Sequence, residues 1–125
     1  MPVVHLSDVP ELPVAGSNPL VMKKAVGSRH RDPNFVMPTS TDSLSITHIR
    51  HWSAHPRMKC DESDRAMFLI DGEASIQIGD EPPELLRAGD FALIPRGTAY
   101  EFSGELTYLV INTPAFLQGS DIRVE

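Results

Sequence analysis

The sequence predicts an all-β domain folded as a small sandwich or barrel, and three observations lead there. Short apolar runs recur between turn signals, and 11 prolines with 8 glycines in 125 residues leave little room for long helices. Residues 43–53 alternate strictly: Leu44, Ile46, His48, Arg50 and Trp52 share one face, while Ser45, Thr47, Ile49, His51 and Ser53 share the other. Gly89-Asp90-Phe91-Ala92-Leu93-Ile94-Pro95-Arg96-Gly97 reads as an apolar strand entering a tight Pro-x-Gly turn. Pro95 presets its own φ and Gly97 permits φ above zero, so Tyr100 is presented just past the reversal.

The elements follow in order. Residues 1–20 carry four prolines (Pro2, Pro10, Pro13 and Pro19) and read as an extended arm. Residues 20–26 form a strand, 27–41 a polar loop, and 43–53 the alternating strand. The charged stretch 54–65 reads as a connection. Residues 67–70 and 73–78 read as two strands joined by Asp71-Gly72, a hairpin signal. Asp80-Glu81-Pro82-Pro83 is a turn; residues 84–87, 91–94, 99–103 and 106–112 complete the strands. The division is therefore an arm over 1–20, a barrel over 21–118 and a tail over 119–125, within the size of a single domain.

Composition excludes several classes of function. The net charge of −6 and a pI near 5.3 argue against a nucleic-acid surface. No apolar run reaches membrane-spanning length, and the first residues lack the basic and apolar regions of a secretory signal. The one cysteine, Cys60, excludes an internal disulfide and fits a reducing cytoplasm. Cys60 has no obvious helix terminus beside it to activate a thiolate.

Residues 43–114 resemble the cupin superfamily, small β-barrels with a ligand pocket inside (double-stranded β-helices, or jelly rolls). Gly89, Asp90, Pro95 and Gly97 stand at the spacing of the family's second motif, and Gly72 anchors the first. The resemblance implies a metal site, yet its histidine and glutamate stations fall on Lys59, Asp61, Arg65 and Tyr100. Two cations at those stations repel a divalent metal, so no metal and no cofactor are expected. Residues 94–103 with Tyr108-Leu109-Val110 and Pro114-Ala115 are also similar to the cupins associated with ethanolamine utilisation, which lack the usual histidines. Sugar-nucleotide epimerases among the metal-independent cupins work with a His/Tyr acid–base pair.

Alternation places Tyr100 with Phe102, and Arg65 with Met67 and Leu69, toward the barrel interior. If Leu44 and Ile46 also face inward, the interior has an apolar floor of Ile46, Met67, Leu69, Ile76 and Phe91 or Leu93. Its polar mouth is then His48, Arg50, Lys59, Asp61, Arg65 and Tyr100, a pattern that suits a small-molecule site. The expected roles are Tyr100 as general acid or base, His48 as its counterpart, and Asp61 orienting His48 or Lys59. Lys59 with Arg65 or Arg50 would hold an anionic or carbonyl-bearing substrate, in a space lined by Trp52, Met67 and Phe102. His51 would face the other way, and His5, His30 and His55 would sit on surface arms or loops. Each candidate also has a structural reading: a half-buried phenol, an exposed ion pair, a satisfied histidine.

The functional expectation is metal-independent isomerase, epimerase, cyclase or lyase chemistry. The alternatives are a small-ligand-binding cupin without turnover and a metal enzyme with unusual ligands. A homodimer is expected, with the arm lying along a partner's sheet edge.

Overall fold

The computed structural model describes residues 3–14, 19–27, 41–117 and 119–125. The expected loop 27–41, His30 included, lies outside the described residues apart from its two ends. Ten strands follow: β1 (Leu12–Val14), β2 (Leu20–Val26), β3 (Ser45–His51), β4 (Ala54–Cys60), β5 (Asp64–Ile78), β6 (Glu84–Arg87), β7 (Phe91–Ile94), β8 (Tyr100–Ser103), β9 (Leu106–Thr113) and β10 (Asp121–Arg123). They run β1-β2-β3-β9-β5-β8-β4-β10, every pairing antiparallel, with β6 and β7 also on β5.

β5 explains how one sheet becomes a barrel. Its first part pairs with β9 and β7, and its second part with β8 and β6. The change comes at Asp71-Gly72, so this dipeptide is a corner in one continuous strand of 15 residues, not the expected hairpin turn. Gly72 has φ 86°, and a Cβ there would run into the Glu105 carbonyl oxygen of the β8–β9 turn. A glycine was needed, but for close approach at a bend rather than for a reversal.

Three further expectations change. Residues 54–60 are strand β4, whose register with β8 shifts between His55 and Met58. Pro56 sits in that bulge, the one place where an inner strand tolerates a residue without an N–H. The supposed tail contains β10, which pairs with β4. Within the arm, β1 pairs with the chain's own β2 rather than lying free for a partner's sheet edge.

The core follows the pleat. Met67, Leu69, Ala74, Ile76, Ala92, Ile94, Phe102 and Leu106 are buried together with Tyr100 and Tyr108. Each large apolar side chain buried this way contributes about 1.5–3 kcal/mol relative to exposure. The expected floor is correct for Met67, Leu69 and Ile76 and wrong for Ile46, Phe91 and Leu93. Phe91 and Leu93 are 71% and 67% exposed, and Ala92 and Ile94 point inward instead.

Candidate functional site

The phase of β3 decides what enters the barrel. Ser45, Thr47, Ile49 and His51 are its buried positions; Ile46 and His48 are half-buried and Arg50 exposed on the outer face. The sequence assigned the opposite phase because Leu44, Ile46 and Trp52 made the outer face the more apolar one. His48, Arg50 and Trp52 therefore leave the predicted site. Arg50 pairs with Glu11 at 3.8 Å on the surface, and Trp52 is 48% exposed. Lys59 and Asp61 likewise pair with each other at 3.3 Å on half-exposed side chains, outside the cavity. His51, expected at the surface, is buried against Phe102, with ring centroids 5.0 Å apart. Met67 and Phe102 face inward as expected but belong to the packed core beneath the site.

The cavity between the sheets has a volume near 230 Å³, and Lys24, His55, Arg65, Tyr100, Tyr108 and Asp121 line it among apolar neighbours. Of these only Arg65 and Tyr100 were expected as site residues. Arg65 is 4% exposed and spends one N–H from each of its nitrogens on the wall. Nε donates to Asn112 Oδ1 at 2.8 Å, one terminal nitrogen to the Tyr100 hydroxyl at 2.7 Å, and the other to Asp121 Oδ1 at 2.8 Å. The pairings that build this are local: Arg65 lies beside Asn112 in the β5–β9 register, while β8 and β10 bring Tyr100 and Asp121. Burial works against the guanidinium's charge, but Tyr100 and Asp121 outweigh that and hold its proton more tightly than usual.

The Tyr100 hydroxyl accepts from Arg65, so its own proton is left to be donated elsewhere. Burial raises its pKa above the ordinary phenol value, and the nearby guanidinium only partly offsets this. Tyr100 is thus a protonated acid at neutral pH.

His55 stacks on Tyr100 with ring centroids 5.3 Å apart and on Phe102 at 4.6 Å. Its Nδ1 lies 2.7 Å from the Pro56 carbonyl oxygen. A carbonyl can only accept, so Nδ1 carries the proton and Nε2 holds a lone pair. Burial is the main reason that its pKa falls from 6.5 to about 4, leaving the ring neutral and basic at Nε2.

Lys24 completes the set from β2. It shares the inward parity of Leu20 and Met22, is 5% exposed, and holds its Nζ 4.7 Å from the centre of the Phe116 ring. Burial lowers its pKa.

Sequence reasoning missed His55, Lys24 and Asp121 for different reasons. Pro56 and the flanking charges hid β4, and β10 is only three residues long. Lys24 was legible, since period-two alternation from Leu20 already placed it inward. A divalent metal does not fit this set: two cations line the cavity, and among the described residues no three His, Cys, Asp or Glu side chains converge.

No family model matches this sequence, and no curated protein matches it. Solved structures do match. Streptomyces PAC13, determined with uridine and described as a nucleoside dehydratase, superposes with a TM-score of 0.71 at 11% identity, covering 98% of this chain and 89% of that one. A cupin-like protein from Thermotoga maritima gives 0.66 at 16% identity, covering 90% of this chain and 83% of that one. The chain has the cupin fold. A further cupin-fold neighbour, the DMSP lyase DddQ from Ruegeria pomeroyi DSS-3, gives 0.68 at 18% identity over 84% of this chain and 51% of its own length. At such identities the likeness concerns the fold, and the chemistry must come from the residues in this chain's own cavity.

Proposed function

We propose that this cupin is a metal-independent acid–base enzyme of the lyase or isomerase type, acting on a small molecule inside the barrel. The observation that carries the reading is the stacked His55–Tyr100 pair, which offers a lone pair and a proton within one cavity. In an elimination, His55 Nε2 would take a proton from carbon and Tyr100 would deliver one to the departing oxygen. Arg65 orients the phenol and stabilises the charge left on it after donation. Neighbours described as a nucleoside dehydratase and a DMSP lyase show that proteins of this fold perform eliminations.

A binding module without turnover is the second reading. It gains from the displacement of His48, whose partnership with Tyr100 was the expected acid–base pair. Hydrogen exchange into small hydroxy and keto compounds in deuterated water, followed by NMR and mass spectrometry, separates the two. Exchange or loss of water is expected. Compounds that raise the melting temperature while none exchanges or reacts would favour the binding module.

We also propose a homodimer formed through the outer face of the β3–β9–β5–β7 sheet. Two cross-strand rows meet there, Ile46-Ile111-Ala66-Leu93 and His48-Leu109-Phe68-Phe91. A continuous apolar patch of this kind, on a face that no other described strand covers, suits self-association.

A further inference from the structure

The charges lining the cavity do not balance. Arg65 is answered by Asp121 at 2.8 Å, the two tyrosines are protonated, and His55 is neutral. Lys24 remains. It is more than nine-tenths buried, and its ammonium makes no ion pair or hydrogen bond among the described residues; it contacts the Phe116 ring and feels the charge of Asp121 at longer range. A buried ammonium that faces an aromatic ring, with the nearby Asp121 carboxylate already bonded to Arg65, is costly, since these return little of the hydration it has lost. The chain as a whole carries a net charge of −6, so this local positive excess runs against its general composition. A bulge in β2 between Lys24 and Val26 follows directly after the lysine, where such irregularities commonly aim a side chain.

The two cations of the cavity are therefore unlike. Arg65 is committed to Asn112, Tyr100 and Asp121, and serves to fix the acid. Arg65 has spent three of its five N–H donors and its charge is answered by Asp121, whereas all three N–H groups of Lys24 are uncommitted among the described residues, on a compact point charge. We propose that Lys24 is the anion-binding residue of this cavity and that its ligand is a small monoanion whose carboxylate sits on the Lys24 ammonium. One negative charge neutralises the excess, and a dianion would exceed it. A volume near 230 Å³ lies below the usual range for drug-sized ligands, about 300 to 1,000 Å³, and suits a compact acid. The placement of the ligand's reactive carbons beside His55 and Tyr100 rests on the acid–base reading above; the anion site itself does not.

The test is calorimetric binding of lactate, 3-hydroxybutyrate and 3-phenyllactate against their neutral amides at fixed ionic strength. At least one acid should bind about tenfold to a hundredfold tighter than its amide, the worth of a hydrogen bond to a charged group. Lys24→Met should abolish that preference, and Lys24→Arg should retain part of it. Should Lys24→Met not fold, the Lys24 Cε resonance in lysine-labelled wild-type protein gives the same answer. It should move on titration with the best-binding acid and stay still with the amide. Equal binding of acids and amides, no binding by any acid, or an unmoved Lys24 resonance would overturn the proposal. Tyr100→Phe should keep the preference within a few-fold, so carboxylate binding without any proton exchange would leave Lys24 assigned and remove only the acid–base reading.

Discussion

The two faces of the sheet formed by β2, β3, β9 and β5 are made from the same alternating strands and carry opposite chemistry. Inside, Lys24, Arg65, Tyr108 and Asn112 stand among Met22, Ile49 and Val110 around a cavity. Outside, Ile46, Leu109, Ile111, Ala66 and Phe68 form the more continuously apolar surface. The rule that the apolar face of a strand points inward assumes that the interior is only a core. Where the interior also houses polar side chains around a cavity and the outer face is the more apolar one, the rule assigns the wrong face. His48 and Arg50 were misplaced for this reason, and charges confirm the contrast. Arg50 on the outer face makes a solvent-exposed ion pair, while the buried Arg65 on the inner face pairs with a largely buried Asp121.

That contrast can be broken from the inside first. Arg65→Met strands Asp121 and removes three hydrogen bonds, so urea unfolding should show a loss on the order of 3–5 kcal/mol. Arg50→Ala, on the outer face, should change stability by no more than about 0.5 kcal/mol. Comparable losses for both would mean that the two faces are not energetically distinct. From the outside, Leu93→Glu places a charge on the proposed dimer surface, at its β7 end. Sedimentation should show a dimer becoming monomer with the melting temperature of the subunit little changed; a wild-type monomer would remove the assembly.

A further effect is expected on pH dependence. His55 titrates at 6.5 when unfolded and near 4 when folded, chiefly because it is buried. Between those values the unfolded chain binds the extra proton, so stability falls as pH drops from 6.5 and this contribution is fully lost below about 4. His51 and His48 are also lowered by burial and act with the same sign. His55→Gln should therefore reduce the slope of stability against pH in that interval without flattening it. The groups facing His55, namely His51, Arg65, Tyr100 and Asp121, stay in place in that variant.

Much of the fold was legible because turn chemistry and alternation are local. Residues 84–87 and 91–94 were read with their observed bounds, and Gly97 adopts φ 78° in the turn that Pro95 sets. Arg65 and Tyr100 were legible because both alternate with large apolar residues, Met67 and Phe102, that had to be buried. What failed depended on contacts distant in sequence. Gly72 serves a backbone approach from Glu105, Pro56 is accommodated by a bulge against β8, and Asp121 reaches Arg65 across 56 positions. His55 acquires its tautomer from the Pro56 carbonyl and its neutrality from burial, neither of which a sequence displays.

The central claim is that Tyr100 gives a proton to substrate and does not merely pack. Tyr100→Phe keeps the ring, its stacking on His55 and its burial, and deletes one hydroxyl bonded to Arg65. Losing that hydrogen bond to a charged group should cost about 1–3 kcal/mol, leaving a folded protein. Losing a general acid should lower turnover by about 10²–10⁴. The deciding measurement is the rate of exchange or elimination for Tyr100→Phe beside wild type, with the compound that wild type processes fastest. A fall of at least about a hundredfold in a folded variant is the predicted result. A rate within a few-fold of wild type would contradict the account and leave Tyr100 a structural partner of Arg65.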